Sequence, residues 1–296
     1  MYDMKAIYEA ESVEDAVRLR LEHPGAQIIA GGSDVLVQVR EGRRAGKELI
    51  SIYGIDAMRG VSLDKEKNLR IGSLTSFSHI TADKLVQKHC RVLGEAVDQV
   101  GSPQIRAIGT IGGNTCNGVT SADSASTLHA YEAVVELTGK NGVRLLPIKE
   151  FYLGPGKVDI RAEEGELQTA LLIPKDSYEK THGCYIKYGL RNAMEIATLG
   201  CSVNVRLTAD KKKIERCRIA FGVAGPVPMR APSAEEKAKG AALNEKNIAA
   251  VAKAVLTDIN PRDSWRASKA LREHLAAELT KRALTEAIQR AGGTIA

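Results

Sequence analysis

The sequence predicts an α+β protein in two parts, on three observations. Over the first half, apolar runs of strand length alternate with helical periodicity. A glycine-rich stretch, Gly101 to Gly118, interrupts that half without ending it. A run of strands followed by a run of helices then fills the C-terminal part, the pattern of a small sheet with helices on one face. The chain has 296 residues, 44% hydrophobic and 26% charged, which is enough length for two cores and the composition of a folded protein.

The elements follow in order. The opening reads as strand, helix, strand. Ser12 with Asp15 three residues on forms a capping pattern, Val13, Ala16, Val17 and Leu21 recur at helical spacing, and Pro24-Gly25 stops the helix. Gln27 to Ala30 is a short apolar run that breaks at Gly31-Gly32 and resumes at Val35 to Val37. Leu49 to Ile52 and Leu69 to Gly72 read as strands, and Phe77 to His89 as one helix. A loop as long as Gly101 to Gly118 inside a domain is more often functional than a linker. Ala133 to Leu137 and Leu145 to Ile148 flank Gly139-Lys140-Asn141-Gly142, whose Asn-Gly marks a hairpin. Tyr152 to Gly156 is a turn, and Leu167 to Ile173 a strand closed by Pro174. The polar stretch Lys175 to Lys180 divides the chain into domains 1–176 and 177–296. Beyond it, Tyr185 to Tyr188, Leu199 to Leu207 and Ile214 to Val223 predict a three-stranded antiparallel sheet. Helices follow over Ala234 to Gly240, Asn244 to Asp258 and Ser264 to Ala291, the last ended by Gly292-Gly293.

Composition excludes several classes. The N-terminus carries acids where a signal peptide needs a basic start and an apolar run, and no stretch approaches the ~20 apolar residues of a membrane span, so a cytoplasmic protein is expected. Five cysteines, an odd number without a CxxC pair, argue against a disulfide framework and against any metal or cluster held by this chain alone. The net charge is +6, but the basic residues are dispersed. The one run, Lys211 to Lys213, reads as a solvated turn, and aromatics are only 4%, so nucleic acid is not expected as a partner. The six histidines show no paired spacing, and no acid–base pair stands out as catalytic.

Two segments carry chemistry. In Ile28 to Leu36, a buried strand runs into Gly31-Gly32 and then into a Ser33-Asp34 helix start. That delivers unhindered main-chain N–H groups at the positive end of a helix, which suits a diphosphate, with Ser33 or Asp34 as the N-cap. Neither GxGxxG nor GxxxxGK[ST] is present. The second segment, Gly109 to Gly118, has the same character, with Thr110 and Asn114 offering side-chain hydrogen bonds. Either segment alone is equally compatible with a tight turn that binds nothing. Together, some 80 positions apart, they would suit a long ligand gripped in two places.

The strings Ala30-Gly31-Gly32-Ser33-Asp34, Pro103-Gln104-Ile105-Arg106, Gly109-Thr110-Ile111-Gly112-Gly113-Asn114 and Ser121-Ala122-Asp123 resemble the FAD-binding motifs of the molybdenum hydroxylase flavin subunits. That family includes xanthine dehydrogenase and carbon monoxide dehydrogenase. Lys187 to Ala197 and Trp265-Arg266-Ala267-Ser268 resemble segments of its C-terminal domain, so the similarity spans nearly the whole chain. The resemblance implies a two-part FAD-binding domain of the vanillyl-alcohol-oxidase/PCMH type, followed by a carbon monoxide dehydrogenase flavoprotein C-terminal domain. It implies that Gln27, Ile28, Ile29, Ala30, Gly31, Gly32, Ser33 and Asp34 line the diphosphate and ribityl chain of FAD. Gly109, Thr110, Ile111, Gly112, Gly113 and Asn114 would complete that cradle, and Asp123 would hydrogen-bond a polar part of the cofactor. Leu167 would pack near the flavin ring or adenine, and Lys187 would lie near the isoalloxazine, where a cation raises the potential. Lys187 reads equally well as a surface lysine snorkelling over a strand. Met194-Glu195 stands where relatives often carry acidic residues.

The activity implied is xanthine dehydrogenase-like. A molybdenum-cofactor subunit hydroxylates a purine, an iron-sulfur subunit with two two-iron clusters passes electrons to FAD, and NAD accepts them. The alternatives are a self-contained flavin reductase or oxidase of the same superfamily, or an assembly module without flavin.

Overall fold

The computed structural model describes residues 2–296. The chain opens with β1 (Met4–Glu9), α1 (Val13–Glu22), β2 (Gln27–Ile29), α2 (Val35–Arg40) and β3 (Lys47–Ser51), which form a parallel sheet in the order β1-β3-β2. Ser12 caps α1 by accepting the Asp15 N–H at 3.1 Å, and Asp15 answers by accepting the Glu11 N–H. Ala16, Val17 and Leu19 close this layer onto Ile50 and Ile52.

A second sheet is antiparallel. β4 (Val61–Leu63) and β5 (Leu69–Gly72) lead into six short helices: α3 (Phe77–Ala82), α4 (Lys84–His89), α5 (Arg91–Val97), α6 (Pro103–Ile108), α7 (Ile111–Cys116) and α8 (Asp123–Ala130). β6 (Val134–Gly139) and β7 (Gly142–Pro147) follow as a hairpin around Lys140-Asn141, then α9 (Ile148–Phe151), the small hairpin β8 (Tyr152–Gly154) and β9 (Lys157–Val158), and β10 (Leu167–Ile173). The sheet order is β4-β5-β10-β6-β7. The helices shelter its apolar face, with Phe77, Ile80, Leu93 and Leu128 buried against Leu69, Ile71 and Val135.

After α10 (Lys175–Tyr178), β11 (His182–Tyr188), β12 (Leu199–Leu207), β13 (Ile214–Gly222) and β14 (Met229–Arg230) form an antiparallel sheet. It is covered by α11 (Pro232–Ala238), α12 (Glu245–Ala254) and α13 (Lys269–Arg290), whose Leu275, Leu279, Ala283 and Leu284 meet Cys201, Val203 and Ile219. The two regions meet where α8 packs on β12 and β13. Ion pairs tie the seam: Arg290 to Glu95 at 2.7 Å, Arg230 to Glu132 at 2.7 Å and Lys187 to Asp123 at 2.8 Å.

The structure corrects four local expectations. Phe77 to His89 is two helices, because Asp83 takes an extended conformation and its Oδ1 accepts the Leu85 and Val86 N–H groups, restarting the helix. Gly101 to Gly118 is not an open loop but two helices, each started by a hydroxyl cap, Ser102 with Pro103 behind it and Thr110. The C-terminal sheet has four strands rather than three, the last only two residues long. The long helix starts at Lys269 rather than Ser264, since Ser268 is its cap and residues 264–267 are a turn. No helix among the described residues is long and apolar enough to cross a membrane.

Candidate cofactor site

The loop from Ala30 to Asp34 leaves β2 and turns at Gly32, whose φ of +73° places it in the left-handed region that disfavours a side chain. Among the described residues, the main-chain N–H groups of Gly31, Gly32 and Ser33 are not donated within the chain. Three free donors in succession are the kind of donor set an anion requires. Asp34 holds the N-cap position, but its side chain makes no cap bond; it accepts instead from the Gln38 amide. Asp34 is thus the N-cap expected from the sequence, without the side-chain bond that usually goes with it. α2 has only six residues, so the free amides matter more than a helix dipole.

The two glycine segments are brought together. A Cβ at Gly31 would stand 1.9 Å from the Ile108 carbonyl oxygen, so the first loop lies directly on the end of α6. The second segment is fastened to the chain that follows β5. Ile111 N–H donates to Thr75 at 3.0 Å and Gly112 N–H to Ser73 at 2.9 Å, while Gly109 accepts from Phe77 at 3.2 Å. Thr110 Oγ accepts the Gly113 N–H at 3.1 Å as the cap of α7, and Asn114 Oδ1 accepts from Ser124 at 2.6 Å. The amides of this segment are thus engaged inside the protein. What it offers outward is the bare, exposed face of Gly113 and the amide nitrogen of half-buried Asn114.

Other sequence candidates fall into place unequally. Ile111 is buried in the core of the antiparallel sheet, Ile28 packs against the cluster of Ile50 and Leu167, and Ile29 is only 7% exposed. Leu167 is enclosed with Ile50 and Leu74, only 2% exposed, and presents no surface to the glycine loops. Gln27 is held by its own amide bond to the Ile28 carbonyl and by Arg44, which also donates to Gln38 Oε1 at 2.6 Å.

Asp123 and Lys187 form a unit with Tyr185. Asp123 Oδ1 accepts from the Tyr185 hydroxyl at 2.7 Å and Oδ2 from Lys187 Nζ at 2.8 Å, and Lys187 also donates to the Gln99 carbonyl at 3.0 Å. Burial pushes the Asp123 carboxyl above its ordinary 3.8, with Lys187 and Tyr185 pulling it back. The Tyr185 hydroxyl is held well above 10 by burial and then by the carboxylate. Lys187 is therefore not a free surface cation: its side chain is only 10% exposed and its charge is balanced. A cavity of about 300 Å³ opens beside it, lined by Gln99, Lys187, Tyr188, Arg191 and Glu195.

Sequence reasoning missed four residues. Ser73 and Gln168 are each 3% exposed, and Ser73 Oγ and Gln168 Nε2 have no partner among the described residues. Gln168 Oε1 accepts from Thr115 at 2.7 Å and from Cys116 at 3.1 Å, so the amide is oriented with its nitrogen left free. Arg44 and Tyr185 are the others. Only Tyr185 had a usable signal, since it lies two positions from Lys187 on one strand and therefore on the same face.

Free amides, a bare glycine face and orphaned buried polar atoms define a protein that holds an extended, polar, phosphate-bearing cofactor, and the comparisons give that class its family. Residues 2–176 match the FAD binding domain in molybdopterin dehydrogenase, and residues 185–287 match the CO dehydrogenase flavoprotein C-terminal domain. The chain belongs to this FAD-dependent oxidoreductase family. It is 39% identical, over 295 residues and all of both chains, to the xanthine dehydrogenase FAD-binding subunit of Escherichia coli O157:H7. It is 29% identical to the nicotinate dehydrogenase FAD-subunit of Eubacterium barkeri over 224 residues, 75% of each chain. The solved carbon monoxide dehydrogenase of Hydrogenophaga pseudoflava superimposes with a TM-score of 0.91 at 27% identity, over 98% of this chain and 99% of that one. The residues fit FAD: undonated N–H groups at Gly31 to Ser33 suit a diphosphate, and the exposed face of Gly113 admits a close approach.

Proposed function

We propose that this chain is the electron-transfer subunit of a xanthine dehydrogenase-like molybdenum hydroxylase. A molybdenum-cofactor subunit hydroxylates a purine, an iron-sulfur subunit with two two-iron clusters delivers the electrons, and NAD receives them. The region 1–176 holds FAD and the region 177–296 completes the site. The observation that carries the assignment is the seating of the Gly31 loop on the carbonyl of Ile108, which joins the two glycine segments into one cradle. The full-length 39% identity to a xanthine dehydrogenase subunit favours a purine as the substrate of the complex.

Bound FAD supplies the exchange between one-electron and two-electron carriers. The chain's own residues bind and orient. Gly31, Gly32 and Ser33 donate main-chain N–H groups to the diphosphate, while Gly113 and Asn114 form the second grip. Asp123 and Tyr185 fix Lys187 at the mouth of the adjoining cavity. Leu167 packs with Ile50 and Leu74 in the core behind the site.

The test is copurification from the native source, followed by flavin, iron and molybdenum analysis and a scan of xanthine, hypoxanthine, nicotinate and carbon monoxide as donors with NAD. One FAD per chain, both metals, and xanthine-dependent NAD reduction are expected. Turnover of nicotinate or carbon monoxide alone would overturn the purine assignment. A flavin-containing chain that copurifies with neither metal and oxidises a substrate unaided would overturn the complex.

A further inference from the structure

Trp265 is the chain's single tryptophan, and it is 79% exposed. It is not loose. The turn that carries it is closed by two main-chain bonds, Ser264 N–H to the Ala267 carbonyl at 3.0 Å and Ala267 N–H to the Ser264 carbonyl at 3.2 Å. The Arg266 guanidinium lies over the indole, 4.2 Å from the ring centre. Beneath the turn sits Arg272, 2% exposed. It donates to the Thr198 and Ala267 carbonyls at 3.2 Å each, to Ser264 Oγ at 2.7 Å and to the Arg262 carbonyl.

A buried guanidinium engaged with three carbonyls and a hydroxyl is a costly fastener, and its result is a large exposed aromatic side chain carried on a fastened turn. Tryptophan and arginine are among the residues enriched where interfaces concentrate their binding energy. The same arginine is linked to the Lys187 side of the molecule. Thr198, whose carbonyl it holds, donates its N–H to the Tyr188 carbonyl at 2.8 Å and so closes the 189–197 loop. That loop lines the cavity beside Lys187 and exposes Leu190 and Met194 at 64% and 61%. Around the indole, Arg262, Arg266 and Lys269 outnumber Asp263, and the whole chain carries +6, so the complementary surface is apolar with an acidic rim.

We propose that Trp265 is the knob on which the iron-sulfur subunit docks, and that Arg272 is a positioning residue that sets it relative to the 189–197 loop. This rests on the function proposed above. The iron-sulfur subunit is chosen over the molybdenum subunit because the electron donor must lie beside the flavin, and the Trp265 turn is fastened to the loop that borders the Lys187 cavity.

The test incorporates fluorotryptophan into this chain alone and follows its single fluorine NMR resonance in the flavin-loaded protein. The resonance should shift or broaden when the iron-sulfur subunit is added and stay unchanged with the molybdenum subunit. Trp265→Ser should weaken binding of the iron-sulfur subunit about thirtyfold, as truncation of a hot-spot residue does, at unaltered flavin content and melting midpoint. Trp265→Phe should retain most of the affinity. Wild-type affinity in Trp265→Ser, or a resonance that responds to the molybdenum subunit only, overturns the docking site while leaving the complex intact. Failure of the unsubstituted chain to bind any iron-sulfur subunit overturns both the docking site and the function on which it rests.

Discussion

Adding one methyl group at Gly31 tests whether the joined cradle is what holds FAD. In Gly31→Ala the new Cβ would stand 1.9 Å from the Ile108 carbonyl oxygen and 2.8 Å from its carbon, where contacts under 3.0 Å essentially never occur. Both are main-chain atoms, so no rotamer relieves the clash and one loop must retreat by about 1 Å, an overpacking that costs about 1–3 kcal/mol of stability. The same retreat carries N–H donors from ~3 Å to ~4 Å from their acceptors, outside hydrogen-bonding range. Losing two charge-assisted bonds at about 1.5 kcal/mol each or more lowers FAD affinity at least about a hundredfold. Titration of deflavinated protein with FAD, read by flavin fluorescence, measures the affinity, and urea unfolding of the flavin-free form measures the stability. Gly25→Ala is the control, because its Cβ meets nothing within 4 Å. Gly113→Ala separates ligand approach from packing: its Cβ meets only its own cap, Thr110 Oγ1, at 2.9 Å. It should leave flavin-free stability within about 1 kcal/mol of wild type while weakening FAD binding. If Gly31→Ala binds FAD as tightly as Gly25→Ala does, the joined cradle is not what holds the cofactor.

Three further outcomes are expected. Asp123→Asn removes the charge that balances Lys187 and should raise the midpoint potential of bound FAD, whereas Lys187→Met should lower it; potentials unchanged in both would place the pair away from the flavin. Burial drives His129 down to about 4 from 6.5, with its Nδ1–H donated to the Ala125 carbonyl at 2.8 Å. The folded chain stays neutral where the unfolded chain takes up a proton, so stability held above pH 6.5 is lost as pH falls toward 4, by about 3 kcal/mol in all. The raised Asp123 carboxyl acts in the opposite sense at the acid end, so the slope is read in the upper half of that window. His129→Phe should flatten it, and an equal slope in the variant would assign the pH dependence elsewhere. Arg230→Met strips Glu235, 7% exposed, of its closest partner and leaves Arg218 at 3.9 Å, so denaturation should show a loss of about 3 kcal/mol; a loss under 1 kcal/mol would mean Arg218 takes over the site.

What the sequence made legible was whatever short-range chemistry decides. Ser12 with Asp15, the Asn-Gly of the β6–β7 hairpin and the Pro174 stop each settle their element within a few residues, and each forms as expected. The family was legible because its motifs are ordered strings. The restart at Asp83 went unread because a capping carboxylate inside an apolar pattern looks like any polar surface position. α7 went unread because it carries two glycines, which have poor helix propensity, and α6 because it is a single short run set between Gly101 and Gly109. In α7 the Thr110 cap and the bonds to Ser73 and Thr75 override that propensity, and those bonds join residues more than thirty positions apart. The same limit explains the site. That Gly31 and Gly32 matter is visible in the string, but that Gly31 is bare for a carbonyl of α6 rather than for a ligand is a fact of packing.

The pairing of Asp123 with Lys187 gives the electrostatics of the site a different character from that of a lone lysine. A single cation beside a flavin would act through its full charge. A lysine bonded to a buried carboxylate acts mainly through the direction and length of the pair's dipole. Asp123 stands at the start of α8 and Lys187 on β11, on opposite sides of the junction between the two regions. The distance between the charges is therefore set by how the C-terminal sheet sits on α8, the same seam that Arg230 with Glu132 and Arg290 with Glu95 hold. One seam thus sets both the Lys187–Asp123 separation and the mouth of the cavity that Lys187 lines.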